Sequence, residues 1–237
     1  MIVHFKPVVD STNTWGKELT IGRIPHLLYA NFQTAGRGRQ GRKWISNAGD
    51  NILMSIVHKP ITPIITIPLY GLYAAYSIIV TLRNLNIPAL FKWPNDVWTE
   101  KGKLAGILPE AVWQGENIEK IIMGIGVNVN QSAFPHNIMA TSMYVESGNT
   151  YNIHKLVRQL ATTYIYATKN IPSQEMIDYL WETFIWKNKT IVINDGEMVG
   201  IPVKMNNEGH LIIKDNKGHL HTIMWGEISL RRDERGI

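Results

Sequence analysis

The stretch Ile121-Ile122-Met123-Gly124-Ile125-Gly126-Val127-Asn128-Val129-Asn130 decides how the chain is read. Apolar residues alternate with small and polar ones, the two-residue period of a β-strand. One face carries Ile121, Met123, Ile125, Val127 and Val129 and is expected to be core. The other carries Ile122, Gly124, Gly126, Asn128 and Asn130. Glycine inside a strand marks a close approach by a ligand or another chain segment, so this second face is a candidate ligand floor. A half-exposed strand is the alternative.

Outward from that strand, residues 103–113 form a second apolar run, again with a glycine inside it, Gly106. Residues 90–92, 52–58 and 27–34 are further strands. Helices are expected from near Ser11 and Thr12 to about residue 22, over 67–85, over 153–170 and over 174–186. Ser173 caps the last of these, with Glu175 in its first turn. Strands mixed with segregated helices make this part α+β. Beyond residues 187–189 the character changes. Short strands at 190–193, 198–205, 211–214 and 220–225 are separated by turns at Asp195-Gly196, Asn207-Glu208-Gly209 and Asn216-Lys217-Gly218. That pattern predicts a small all-β barrel, dividing the chain into residues 1–187 and 188–237.

A length of 237 residues suits one full domain and a small one. With 45% hydrophobic and 18% charged residues, the chain can build a sizeable core and is not a disordered polyampholyte. Cysteine is absent, which removes disulfides, thiolate zinc sites, iron–sulfur clusters and a cysteine nucleophile together. It also fits a reducing, cytoplasmic compartment. The net charge of +5 is too small to require nucleic acid as a partner. Its placement matters more: Arg37, Arg39, Arg42 and Lys43 cluster, and no acid lies between His26 and Gly49. The opening residues lack the basic stretch and apolar run of a secretory signal, so none is expected. Residues 61–82 carry no charge, the length of a membrane span. Pro63, Pro68 and Gly71, with several Thr and Tyr, make it a loop running into a buried core helix instead.

The richest local feature is Gly36-Arg37-Gly38-Arg39-Gln40-Gly41-Arg42-Lys43-Trp44. Glycines let backbone N–H groups approach an anion closely, and arginines add forked donors that match carboxylate and phosphate. Trp44 offers a flat face to a purine or ureido ring. The spacing is not that of a P-loop. An anion site, a mobile basic loop and an RNA-contacting arm all stay open on these residues alone. Lys103, at the head of Leu104-Ala105-Gly106-Ile107-Leu108, is either an anion ligand or a cation reaching solvent. Lys92-Trp93-Pro94-Asn95-Asp96 ends a strand in a turn. Ser11-Thr12-Asn13-Thr14 has the composition of a helix cap. Gln33 shares a strand face with Tyr29 and Asn31, toward either a polar ligand or solvent. His219 and His221 fall on one strand face with His210 near in sequence, but no carboxylate pair completes a metal site. Arg231-Arg232-Asp233-Glu234-Arg235 reads as a solvated tail.

Taken in order, Ser11-Thr12-Asn13, Gln33, GRGRQGRKW from Gly36, KWPND from Lys92, KLAGIL from Lys103 and GIGVNVN from Gly124 resemble the biotin protein ligases. GEISLR at 226–231 resembles the end of their C-terminal barrel. The resemblance runs from about residue 8 to the end. It implies a mixed-sheet catalytic domain of the class II synthetase-like, biotin/lipoate ligase type, followed by an SH3-like β-barrel. It also implies a two-step reaction. Biotin's carboxylate attacks the α-phosphate of MgATP, giving biotinyl-5′-AMP and pyrophosphate. A lysine of a biotin carboxyl carrier domain then attacks the acyl-adenylate, and AMP leaves.

The same resemblance assigns residues. Ser11, Thr12, Asn13 and Gln33 hold the ureido end of biotin. Arg37, Gly38 and Arg39 face its tail and the phosphate. Lys103, Arg37 and Arg39 act on the carboxylate and α-phosphate as the bond forms. Arg39, Arg42, Trp44, Lys92, Asn95, Asp96 and Asn128 line the ATP side, with Asp96 the candidate for Mg2+. Two anions about 4 Å apart repel by about 4 kcal/mol at an effective dielectric of about 20, so cations are needed where they meet. The glycine-arginine loop is implied as a lid that keeps the adenylate from water. Many bacterial members carry an N-terminal winged helix-turn-helix. Here Ser11 stands almost at the start, so a monofunctional enzyme that binds no operator DNA is expected. Many members form homodimers, but no interface is legible. Gln40, Pro109 and Trp225 depart from the usual pattern, and Pro109 removes a ladder donor. The rival readings are a lipoate or octanoate ligase or transferase of related fold, an RNA-binding module, and a catalytically silent sensor.

Overall fold

The glycine-bearing strand is the middle strand of a seven-stranded sheet, and its apolar face shares the main core with the long uncharged helix. The computed structural model describes residues 1–61, 67–169, 171–194, 198–225 and 230–232. Pro63, the Asp195-Gly196 turn, residues 226–229 of the terminal motif and residues 233–235 of the tail lie outside the described residues.

The first half of the chain runs β1 (Ile2–Val9), α1 (Thr12–Glu18), β2 (His26–Gln33), β3 (Asn51–His58), α2 (Ile67–Arg83), β4 (Leu90–Lys92), β5 (Asp96–Thr99), β6 (Gly102–Gln114) and β7 (Asn117–Asn128). Helices α3 (Met143–Ser147), α4 (Ile153–Thr168) and α5 (Gln174–Glu182) follow. The chain closes with β8 (Ile191–Ile193), β9 (Met198–Met205), β10 (Leu211–Asp215), β11 (Leu220–Ile223) and β12 (Leu230–Arg232). The described strands form two sheets. The seven-stranded one has the order β1-β2-β3-β7-β6-β5-β4 and is mixed, because β1 runs parallel to β2 and the other ladders are antiparallel. The five-stranded one, β11-β10-β9-β8-β12, is antiparallel throughout. The architecture is α+β with a small C-terminal antiparallel sheet of the SH3-like kind.

In β7 the side chains of Ile121, Met123, Ile125 and Val127 are buried in the main hydrophobic cluster with Tyr70, Leu72, Ile78 and Ile79 of α2. Helix α2 is buried on nearly every side, which suits its uncharged sequence. Among the described residues no helix is long and apolar enough to cross a membrane. The opposite face of β7 is not uniform. Gly124, Gly126 and Asn128 open onto a cavity. Ile122 instead packs with Ile21, Leu28 and Val57 in a second small cluster. Asn130 is spent on the backbone of Tyr151, at 2.8 and 2.9 Å.

Several expected boundaries move, each for a physical reason. β1 escapes the two-residue pattern because it is an edge strand, with Ile2, Phe5 and Val8 all exposed. β5 begins at Asp96, inside what reads as a turn. α1 stops at Glu18 rather than near residue 22: the ammonium of Lys120 donates to Lys17 O at 2.7 Å and Leu19 O at 2.6 Å, closing the helix end. α5 stops at Glu182 because the next residues pair with β4; Phe91 N donates to Thr183 O at 2.8 Å and Ile185 N to Phe91 O at 2.9 Å. The Ser173 cap forms, accepting from Met176 N. Pro109 costs no ladder bond. Ile107 N points away from β7, to Asn95 O at 3.0 Å, and the register from Ile107 to Pro109 is unbroken, so residue 109 faces its nitrogen away from β7 too.

The two sheets share one core. Ile191, Ile193, Met205, Leu211, Ile213 and Leu230 belong to the same hydrophobic cluster as α2 and β7. The Trp93 indole donates to Gly209 O at 3.0 Å and its ring lies 5.3 Å from that of Trp225.

Candidate active site

A cavity of about 350 Å³ opens on the glycine face of β7 and β6. Every candidate residue assigned from the sequence lines it: Ser11, Thr12, Asn13, Gln33, Arg37, Gly38, Arg39, Arg42, Trp44, Lys92, Asn95, Asp96, Lys103 and Asn128.

One end is neutral and polar. Ser11 occupies the N-cap position of α1 but makes no side-chain cap hydrogen bond, so the cap reading fails. The side chains of Ser11, Thr12 and Asn13 are instead buried at the cavity. Gln33 Oε1 accepts from Thr12 N at 2.7 Å and Thr12 Oγ1 at 3.1 Å, which fixes the Gln33 amide. Ser55, on β3 and fully buried, donates to Asn13 Oδ1 at 2.6 Å and lies 2.8 Å from Thr12 Oγ1. Asn13 Nδ2 donates to Leu108 O at 3.1 Å and Glu110 Oε2 at 2.7 Å. A Cβ on Gly124 would collide with the Asn13 amide, which is why that strand position is glycine.

The other end is cationic. The glycine-arginine loop folds as a narrow hairpin: Gly38 N donates to Arg42 O at 2.7 Å, Trp44 N to Gly36 O at 3.0 Å, and Arg37 bridges Lys43. Arg37 donates to Thr14 Oγ1 at 3.2 Å. Arg39 donates to Asn95 Oδ1 at 2.9 Å, and Asn95 Nδ2 donates in turn to Ile107 O at 2.9 Å, so the KWPND turn clamps the loop to β6. Its Trp93-Pro94 peptide is cis. Trp44 lies flat over the strands: a Cβ on Gly126 would stand 2.6 Å from its ring and one on Gly106 3.0 Å. Its indole nitrogen is buried without a partner.

Lys103 Nζ pairs with Asp96 Oδ1 at 2.7 Å. Lys92 Nζ sits 3.7 Å from the Trp98 ring centroid and 4.8 Å from that of Trp186. Burial lowers its pKa to about 8; the Asp96 carboxylate opposes that shift, and the charges of Lys103 and Arg42 add to it. Asn128 Nδ2 donates to Thr141 O at 2.9 Å and Lys103 O at 3.3 Å, pinning the following segment beside the start of β6. Among the described lining residues six cations (Arg37, Arg39, Arg42, Lys43, Lys92, Lys103) face the single carboxylate of Asp96. Such a surface favours anions.

Some contributors carry no signal in the sequence. Ser55 is one small polar residue in an apolar strand. Glu110 follows Pro109 within β6. Phe134, Pro135, Ile138 and Ala140 line the cavity from an irregular segment, and Leu230 reaches it from β12. The histidines lie elsewhere: His221 and His219 pair with Asp215 at 2.8 and 3.4 Å, and His210 with Glu208 at 3.1 Å.

The fold and cavity define a class, and comparison names it. The chain belongs to the biotin/lipoate A/B protein ligase family, which matches residues 5–128, just over half of its length. The bifunctional ligase/repressor BirA of Escherichia coli is 31% identical over 248 residues, covering 97% of this chain and 74% of that relative. The biotin–(acetyl-CoA-carboxylase) ligase of Mycobacterium tuberculosis is 29% identical over 213 residues, covering 85% and 77%. Among solved structures, the biotin protein ligase from Aquifex aeolicus in complex with biotin and ATP superposes with a TM-score of 0.87 at 28% identity, covering 98% of this chain and 99% of that one.

Proposed function

We propose that the chain is a biotin protein ligase, forming biotinyl-5′-AMP from biotin and ATP and passing biotin to a lysine of a carrier domain. The observation that carries this reading is the polarity of one cavity. Its neutral end, at Thr12, Asn13 and Gln33, suits a ureido ring, and its cationic end, at Arg37, Arg39 and Lys103, suits a carboxylate meeting a phosphate. In the first step a carboxylate oxygen of biotin bonds to the α-phosphorus, and the bond to the bridging oxygen of pyrophosphate breaks. Lys103, Arg37 and Arg39 offset the repulsion between the two anions and stabilise charge as it builds. In the second step the carrier amine attacks the acyl carbon, the bond to AMP breaks and the amine loses a proton. No side-chain nucleophile takes part.

Trp44, Lys92, Asn95 and Asn128 bound the nucleotide side, with Arg42 at the loop's return strand. Mg2+ would be brought by the ATP phosphates and would offset their charge; Asp96, the single carboxylate among the described lining residues, is the residue that would help hold it. The acceptor is a biotin carboxyl carrier domain, the enzyme works in the cytoplasm, and residues 188–237 act as a C-terminal unit beside the catalytic residues 1–187.

Biotin-dependent exchange of labelled pyrophosphate into ATP tests the reading, with lipoate and octanoate alongside. Exchange with biotin alone is expected. Exchange with lipoate or octanoate in its place would overturn the substrate; exchange with no acid would overturn adenylation. The loop is also a lid, tied down through Arg39 and Asn95. Arg39→Gly is expected to leak the adenylate, read as biotin transfer to unrelated lysines. Full activity with unchanged carrier selectivity would remove the lid role.

A further inference from the structure

Glu110 lies behind the cavity wall, yet the parts that make the neutral end meet on it. It sits on β6 opposite Ile122 of β7. Its Oε2 accepts from Asn13 Nδ2 at 2.7 Å, its Oε1 accepts from Lys17 Nζ at 2.6 Å, and the Arg37 guanidinium stands 3.9 Å away.

The consequence falls on Asn13. The two ends of a side-chain amide have nearly the same shape, so packing alone does not say which faces a ligand. Hydrogen bonding does. Leu108 O and the Glu110 carboxylate can only accept, so both must meet the NH2 group, and both of its hydrogens are then used. The carbonyl oxygen is left to take the Ser55 hydroxyl at 2.6 Å, and it lies against Gly124 on the cavity floor with a second lone pair left over. Lys17 holds the other carboxylate oxygen, so Glu110 cannot turn away. That pair is partly exposed and adds little stability of its own; its effect is directional.

We infer that Glu110 is a positioning residue that locks Asn13 as a hydrogen-bond acceptor, and so selects an acid whose head group carries N–H donors over one whose head group is apolar. This rests on the ligase reading and names what sets the substrate class at that site. A ureido ring has two N–H groups to offer; a dithiolane or an alkyl end has none. A site built to accept from an N–H discriminates strongly, because its buried acceptor is left unpaired by the wrong ligand.

Glu110→Gln tests this at constant shape. A Gln amide can offer its oxygen to Asn13 or to Lys17, not to both, and its NH2 group facing Asn13 favours the flipped amide. With biotin, ATP and pyrophosphate exchange as the assay, KM for biotin is expected to rise about 10- to 100-fold. KM for ATP, the melting temperature and the inhibition constant of octanoate against biotin are expected to stay within about twofold or a degree of wild type. An unchanged biotin KM, or equal rises in the biotin KM, ATP KM and octanoate inhibition constant, would overturn the inference and leave Glu110 a packing residue. Should E110Q fail to fold, Lys17→Met, which only frees the carboxylate to turn, carries the same comparison with a smaller rise in the biotin KM alone. Wild-type exchange is measured first. Its absence with biotin would count against the ligase reading, whereas wild-type exchange with an E110Q whose biotin KM is unchanged, or rises equally with the other constants, would count against the role of Glu110.

Discussion

Gly126 has no side chain because Trp44 needs the space. A Cβ there would stand 2.6 Å from the indole, closer than any real contact, and the neighbouring strand backbone cannot move without breaking the β6–β7 ladder. Gly126→Ala is therefore expected to push Trp44 off the floor and lower pyrophosphate exchange by about 10²-fold, the cost of misplacing a binding surface by an ångström or so. Measured exchange close to wild type would mean that Trp44 is not part of the nucleotide floor. Lys92 makes a second prediction at this scale. Its lowered pKa, about 8, comes first from burial between Trp98 and Trp186. In the proposed role of Lys92 on the nucleotide side, its charge is lost as pH rises through that value, so kcat/KM for ATP should fall above pH about 8 in the free enzyme. Lys92→Arg keeps the charge and should move that limb to higher pH. Stability has the opposite slope. Between about 8 and the ordinary value of 10.5 the unfolded chain binds the extra proton, so this group makes the fold more stable as pH rises.

Among the elements, α1 has the most work for its size. It is a seven-residue helix, too short to persist without tertiary support, and it carries Thr12 and Asn13 into the cavity. Its end is held by Lys120, almost fully buried, whose ammonium donates to Lys17 O and Leu19 O. A cation at a helix C-terminus is favourable twice over, through the hydrogen bonds and through the dipole. Lys120→Met should leave those carbonyls unpaired in a buried place and cost about 1–3 kcal/mol in denaturant unfolding, with a rise in biotin KM. A variant as stable as wild type would show that solvent satisfies the helix end. At the sheet edge, Pro7 in β1 removes one backbone donor from an exposed strand, where proline is tolerated and discourages unwanted strand pairing.

At the scale of the whole molecule, the C-terminal sheet is not an appendage on a tether. Its apolar residues join the main cluster, the Trp225 ring packs at a tilt on that of Trp93, and Leu230 reaches the cavity. Trp93 is the second residue of KWPND, whose Asn95 holds Arg39. Loosening the joint should therefore be felt at the nucleotide side. Trp225→Ala is expected to weaken the aromatic pair by about 1 kcal/mol and to raise KM for ATP while leaving KM for biotin near wild type. Equal changes in both constants, or in neither, would separate the C-terminal sheet from nucleotide binding.

What the amino-acid sequence determined by itself was local. The two-residue period of β7, the glycines within it, the uncharged helix and the short strands with glycine turns were all legible, because strand periodicity and turn chemistry are properties of neighbouring residues. The motif order carried the candidate site in the same way, since each motif is a few residues long. Less was legible where burial or partner choice decides. β1 lacks alternation because both of its faces meet solvent in part, and α5 ends early because Thr183 and Ile185 find β4. The orientation of Asn13 depends on Ser55 and Glu110, which stand 42 and 97 residues away from it in the chain. No pattern along the chain predicts such pairings, because they follow from the register of β3, β6 and β7. Only the tertiary structure could decide that Ser11 faces a cavity instead of capping its helix, and that Leu108 O together with one carboxylate behind the wall sets which atom of Asn13 a ligand would meet.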